Sequence, residues 1–242
     1  MTKPRICIQY CEIFPGKIIK LSSQDQKYLF NVLRCQAGDI ISIFDGRGKN
    51  FQAEIIDDRS IQVLEEEELH TEDAFSIVLC QAILKGEKME MVIQKATELG
   101  VKKIIPFVSE RSVVKETRKT ERWRKIAKQA SEQARRSIVP KVEDVTSFPE
   151  LIKNIKNGIL FWEKATNPLI QIIFEINPYE DIFLLTGPEG GFSEKEVVQA
   201  EKNNIKIASL GKRILKAETA SIVSVSLVSF LVEWKFYQKN MI

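Results

Sequence analysis

Through residue 72 the apolar residues come in short alternating segments broken by turn formers: "PGKIIKL", "GDIISIFDGRGKNFQAEIIDD", "SIQVLEE". Period-two alternation predicts half-buried strands. Asp45-Gly46 and Gly48 fall between two such segments and predict a hairpin turn. One stretch, "SQDQKYLFNVLRC", has helical spacing, starting after Ser22 and Ser23 and ending before Gly38. Short strands with one helix in about 70 residues point to a small β-barrel.

From Phe75 the rhythm changes. The apolar run "FSIVLCQAIL" has the composition of a strand buried on both faces. Met89, Val92, Ile93, Ala96 and Leu99 then fall on one helical stripe, which Gly100 stops before the strand "VKKIIPF". Trp123, Ile126, Ala127, Ala130 and Ala134 form a second stripe. Ser147 and Glu150 have capping-box spacing, and Pro168 is placed as the first residue of another helix. "GILFW", "IFLLT" and "IKIASL" predict further strands, and a long apolar helix near 219–238 ends the pattern. Alternating strands and helices over 73–242 predict an α/β domain with a mainly parallel sheet. The boundary is expected near residues 68–74.

Two strand-to-helix turns stand out. In "LLTGPEGGFSEKEVV", Ser193 and Glu196 form a capping box, with Phe192 and Val197 as a hydrophobic staple. Gly187, Gly190 and Gly191 lie between the strand end at Thr186 and the helix start at Glu194, where open α/β sheets receive ligands. The turn has neither the G-x-G-x-x-G spacing nor the Lys-Ser/Thr of a phosphate-gripping loop. In "SLGKRILKAETASIVSVSL", a strand runs to Leu210, Gly211 turns the chain, and Thr219 is placed to cap the last helix. Its first turns are rich in small residues: Ala217, Ala220, Ser221, Ser224 and Ser226. The two strand ends are expected side by side, sharing one pocket.

Composition narrows the function. The 242 residues are 44% hydrophobic and 29% charged, ordinary for a globular protein. The Met-Thr-Lys-Pro-Arg start predicts no signal peptide. The most apolar stretch, 222–232, is too short and too rich in serine to predict a membrane span. Cys7, Cys11, Cys35 and Cys80 lack CxxC spacing and are expected reduced, in a cytoplasmic protein. A single histidine, His70, excludes a His-rich metal site, and no metal is expected. Net charge is +3, but Arg111 to Lys141 holds 11 basic and 3 acidic residues, which suggests a polyanion partner.

"GPEGGFSEKE" together with "LGKRILKAETA" resembles the RsmE family of bacterial ribosomal RNA uridine N3-methyltransferases, in the SPOUT class. "VLRCQAGDIISIFDGRG", "QKATELGV", "SERS" and "ASEQARRSIVP" extend the resemblance along the chain. Lys216 and Ala217 stand where the family usually has Arg and Thr. The resemblance implies a PUA-like RNA-binding β-barrel over 1–72 and a SPOUT domain with a C-terminal trefoil knot over 73–242. It implies a homodimer with helix 219–238 at its interface, S-adenosylmethionine as cofactor, and methylation of N3 of a uridine in small-subunit (16S) ribosomal RNA, within an assembled or assembling 30S particle. The cofactor residues it implies are Phe161, Trp162 and Glu163; Thr186, Gly187, Pro188, Gly190 and Gly191; and Leu210, Gly211, Ile214, Leu215, Glu218, Thr219 and Ala220.

Uracil N3 carries a proton, so methylation there calls for a proton acceptor or a cation that steadies the anion. Glu189, Glu218, Arg213 and Lys216 lie near the loops. Each has a structural alternative: Glu189 as a brace of its turn, Glu218 as a cap, Arg213 as a phosphate ligand. RNA contacts are expected from Arg34, Arg47, Arg111, Arg124, Arg135 and Arg136, with Lys115 and Arg118. The rival reading is a non-catalytic RNA-binding protein of ribosome assembly.

Overall fold

The structure is a computed structural model that describes residues 3–240, and side chains through Gln238. It divides into two compact units: 1–72 with 131–139, and 73–130 with 140–242.

The first unit is built on one five-stranded sheet, with strands β1 (Arg5–Cys7), β2 (Ile18–Lys20), β3 (Ile40–Phe44), β4 (Asn50–Ile55) and β5 (Ser60–Glu67). The order is β1-β3-β4-β5-β2; β1 pairs with β3 in parallel and every other pair is antiparallel. The β3–β4 hairpin closes at Asp45–Lys49, where the Asp45 carboxylate accepts from the amides of Arg47 and Lys49. Ile6, Ile41, Ile43, Phe51, Ala53, Ile55, Ile61 and Val63 form the core with Leu29. The expected helix is a short α1 (Ser23–Gln26), capped by Ser22, that widens into a π-helical turn over Lys27–Val32.

The second unit contains β6 (Ile77–Ala82), α2 (Lys88–Glu98), β7 (Lys103–Val108), and α3 (Thr120–Gln133), whose last turn belongs to the first unit. Then follow β8 (Lys141–Val142), β9 (Thr146–Ser147), α4 (Phe148–Ile152), β10 (Gly158–Phe161), α5 (Leu169–Glu175) and β11 (Ile182–Thr186). The chain closes with α6 (Glu194–Lys202), β12 (Lys206–Ala208) and α7 (Ala217–Asn240). The sheet order is β12-β10-β11-β6-β7, with β8 and β9 both on the far edge of β7, and all pairs are parallel.

Alternation along the central strands fills two cores. Ile77 and Leu79 of β6, Ile159 of β10, and Ile182 and Leu184 of β11 enter one with α2, α5 and α7. Val78, Cys80, Leu160 and Leu185 enter the other, with Val197 and Ala200 of α6. A strand buried on both faces therefore reads as continuous apolar sequence.

Four expectations change. β11 and β12 are not neighbours: each pairs with β10, which lies between them. The last strand stops at Ala208, and α7 begins at Ala217, so Thr219 lies inside its first turn and does not cap it. Pro168 is the cap of α5, one residue before the helix. The apolar α7 is only partly covered: Val225, Val228 and Val232 are buried, while Phe230 and Tyr237 are about two-thirds exposed (65% and 64%). Among the described residues it is the one helix long and apolar enough to cross a membrane. Ser221 and Ser224 are wholly buried along it.

Candidate active site

Parallel strands bring their carboxyl ends to one edge, and there β10, β11 and β12 open into a cavity of about 410 Å³. Phe161 ends β10 and Trp162 and Glu163 follow it; Gly187 to Phe192 follow β11; Ser209 to Gly211 and Arg213 to Glu218 run from the end of β12 into α7. Ala220 comes from the first turn of α7. Thirteen of the fifteen residues expected around a cofactor line this space, the exceptions being Thr186 and Thr219.

The Gly187–Gly191 turn is locked from several sides. Ser193 accepts from the Glu196 amide, and Glu196 accepts back from the Ser193 amide, completing the capping box. The other oxygen of Glu196 takes the amide of Glu110, and the Ser193 hydroxyl donates to Glu110 Oε2 at 2.7 Å. Arg111 Nη1 donates to the Gly190 carbonyl at 3.1 Å. So the "SERS" segment after β7 props the glycine turn. Gly191 has φ +67°, and a Cβ there would sit 3.0 Å from a Glu163 carboxylate oxygen. The backbone angle favours glycine, and a Cβ would also push the exposed Glu163 carboxylate aside.

Beneath the cavity lies a buried polar cluster. Thr186 Oγ1 donates to Gln81 Oε1 at 2.8 Å, and Ser221 reaches the same oxygen and the Ala217 carbonyl. Gln81 and Ser221 are fully buried. This ties the ends of β6 and β11 to the start of α7, and it gives Thr186 a supporting place rather than a lining one. Gln81→Ala strips both hydroxyls of an acceptor and opens a void. It should cost about 2–4 kcal/mol in a denaturant titration; a loss below about 1 kcal/mol would refute the role.

Lys88, at the start of α2, was not legible as a site residue. Its Nζ lies 3.5 Å from Glu189 Oε1 and 3.7 Å from Glu218 Oε2, bridging the turn after β11 and the first turn of α7. The signal was the segment Lys85-Gly86, a third glycine-turned strand end. Phe192, Ser209 and Ala217 also line the cavity. Glu189 Oε1 accepts from the Lys85 amide at 3.1 Å. Burial pushes the Glu189 carboxyl up, but hydrogen bonds from its own amide and that of Lys85, with Lys88 nearby, outweigh this and hold it below the ordinary carboxylate range. A group depressed on folding stabilises the fold above its unfolded pKa, and loses that contribution as pH falls through the lower folded value. The turn should therefore stay braced at neutral pH and loosen only in acid. Amide exchange at Lys85 that quickens between pH 8 and pH 6, beyond the intrinsic trend, would contradict this.

The remaining three groups differ, and Lys216 is an exposed residue of the cavity lining. Glu218 Oε2 is buried without a hydrogen-bond partner, as is Trp162 Nε1, and both residues line the cavity. Arg213 is exposed at its rim, with no ion pair among the described residues.

The basic residues expected to meet RNA separate as well. Arg34, Arg47, Arg111 and Arg135 are exposed. Arg124 is ion-paired with Glu121 and Asp144, and Lys115 donates to the carbonyls of Ser109 and Glu110. Arg136 must be withdrawn from the set: it is 3% exposed and donates to Glu72 Oε2 at 2.6 Å, and a buried paired guanidinium cannot meet a phosphate.

A PUA-like unit and a parallel sheet with a glycine-walled cavity at its carboxyl edge define the class, and comparison agrees. Residues 71–229 match the RNA methyltransferase domain family, and residues 21–66 the RNA methyltransferase PUA domain family. The ribosomal RNA small subunit methyltransferase E of Bacillus subtilis is 32% identical over 92% of this chain and 93% of its own length. That of Rickettsia conorii is 33% identical over 89% and 91%. A crystal structure of ribosomal RNA small subunit methyltransferase E from Neisseria gonorrhoeae bound to S-adenosyl methionine superposes with a TM-score of 0.88, at 29% identity, over 95% of this chain and 98% of that one. The chain belongs to the ribosomal RNA small subunit methyltransferase E family.

Proposed function

We propose that this protein methylates N3 of a uridine in small-subunit ribosomal RNA, with S-adenosylmethionine held in the cavity at the ends of β10, β11 and β12. The observation that carries the reading is the cavity itself. On its wall a buried donor, Trp162 Nε1, has no hydrogen-bond partner, and a buried acceptor, Glu218 Oε2, has no hydrogen bond and only Lys88 Nζ near it, at 3.7 Å. Beside them stand the apolar side chains of Ile214 and Leu215. An aromatic base with polar edges and a cationic amino group suits that wall. When bound, S-adenosylmethionine supplies an electrophilic methyl group on sulfur.

The chain's own part is alignment and charge. Glu218 Oε2 is the acceptor for the uracil N3 proton, since Glu189 is engaged in bracing its turn. Arg213 steadies the uracil anion from the rim. Isothermal calorimetry with S-adenosylmethionine, S-adenosylhomocysteine and ATP tests the cavity: the first two should bind and the third should not. Mass spectrometry of 16S RNA from small subunits treated with the protein tests the reaction. Cofactor binding with no added methyl group would favour the assembly-protein reading.

The exposed arginines set RNA affinity through phosphates, which position rather than read sequence. Even three phosphate contacts make affinity fall about tenfold for a threefold rise in salt. A flat response in a filter-binding titration would remove this role. The 30S particle, the cytoplasm and the trefoil knot belong to the same proposal.

So does a homodimer, formed through α7. Ser221 and Ser224 face inward, but Leu227, Phe230, Trp234 and Tyr237 form an exposed apolar stripe at helical spacing. The expected mass in light scattering is twice 27.7 kDa. Phe230→Asp should halve it; a monomeric wild-type protein would end the proposal.

A further inference from the structure

A second cavity, of about 370 Å³, lies in the same unit. Ile83 and Leu84, just past the end of β6, form its floor with Val114. Trp123 at the start of α3, and Glu116, Thr117, Arg118 and Lys119 from the loop before it, line it with Gly86. It shares no lining residue with the cavity already described: Gly86 borders this one and Lys88 the other, so the β6–α2 loop separates them.

Two observations ask for a ligand. Trp123 is 2% exposed, yet its Nε1 has no hydrogen-bond partner. A buried donor left unpaired is costly, and an acceptor brought by a ligand removes the cost. At the rim, Arg118 and Lys119 are exposed and have no ion-pair partner among the described residues. A slot walled by apolar side chains and an indole with an unpaired N–H, with two cations and only one carboxylate, Glu116, among its exposed lining residues, matches a nucleotide: a flat base inside, its phosphate outside.

We propose that this cavity receives a nucleotide of the RNA substrate other than the one methylated, with a base acceptor atom on Trp123 Nε1 and a phosphate on Arg118 and Lys119. The β6–α2 loop keeps such a base away from the cofactor cavity, so it serves to choose and position the RNA. The identity of the ligand rests on the rRNA methyltransferase reading; the cavity's ability to bind nucleotides does not.

The test has two arms. In the first, the indole N–H signals of the full chain are followed by NMR during titration with AMP, GMP, CMP and UMP, without S-adenosylmethionine. The Trp123 signal is identified by its loss in Trp123→Phe. At least one nucleotide should shift it saturably at millimolar concentration, and Val114→Trp, which fills the slot, should abolish the response. Silence at Trp123 with all four, or a shift confined to Trp162, overturns the proposal. In the second arm, methylation of small ribosomal subunits lacking the modification is measured for Trp123→Phe. KM for the subunits should rise about tenfold, the worth of one hydrogen bond, with S-adenosylmethionine affinity unchanged. If the indole merely packs, losing an unpaired donor leaves KM as it was, and that result too overturns the proposal. A responsive Trp123 in a protein that methylates nothing would instead keep the cavity and sink the methyltransferase reading.

Discussion

Gly191→Val should lower S-adenosylmethionine affinity at least about a hundredfold while the protein stays folded. Two independent costs meet at that position. The backbone sits at φ +67°, a region where a β-branched residue is strained by about 1–3 kcal/mol. The new Cβ would also lie 3.0 Å from Glu163 Oε1, so this exposed cavity-lining side chain must swing from its place. The turn cannot yield cheaply, because the Gly191 amide donates to the Pro188 carbonyl and Arg111 holds Gly190. About 2.7 kcal/mol corresponds to a hundredfold in affinity. Calorimetry checks the affinity and a melting curve checks the fold. The double variant Glu163→Ala/Gly191→Val should recover only part of the loss, since it relieves the contact but not the φ strain. Affinity within threefold of wild type in the single variant would show that the turn does not grip the cofactor.

Much of this was legible because the signals were local. The capping-box residues Ser193 and Glu196 lie three positions apart in sequence, and the structure forms the box as read. Continuous apolar strings such as "FSIVLCQAIL" and "GILF" marked strands covered on both faces, and they alternate between two cores. The order of strands was not legible. No local rule places β10 between β11 and β12, because pairing energy between parallel apolar strands is nearly blind to which strand is which. The pocket was foreseen all the same, since any adjacent set of parallel strands delivers its carboxyl ends to one edge.

Charge was the least legible property. Arg135 and Arg136 are neighbours in one basic run, yet one is exposed and the other is sealed against Glu72, sixty-odd positions away. Lys88 was hidden for the same reason: its neighbours Glu189, in the turn after β11, and Glu218, in the first turn of α7, lie a hundred or more positions on. Pairings of that kind depend on the fold, whereas turn chemistry depends on three or four consecutive residues.

Arg213→Ala should reduce kcat about 10²–10³-fold with cofactor affinity unchanged. The side chain is exposed at the rim and has no carboxylate partner among the described residues, so its charge is free to act on something that arrives. Lys88, the other cation lining the cavity with a described neighbour, is already balanced by Glu189 and Glu218. Loss of uracil's N3 proton puts negative charge on the ring before the methyl group is captured. A positioned cation acting on charge that develops in the transition state is worth about 3–4 kcal/mol in a water-poor site. Arg213→Lys retains the charge but not the planar fork, and should recover part of the rate. If Arg213 instead binds only a phosphate, removing it raises KM for the small subunit and leaves kcat alone. Single-turnover methylation at saturating RNA separates the two outcomes. An unchanged rate under those conditions would take Arg213 out of the chemistry and return it to RNA docking.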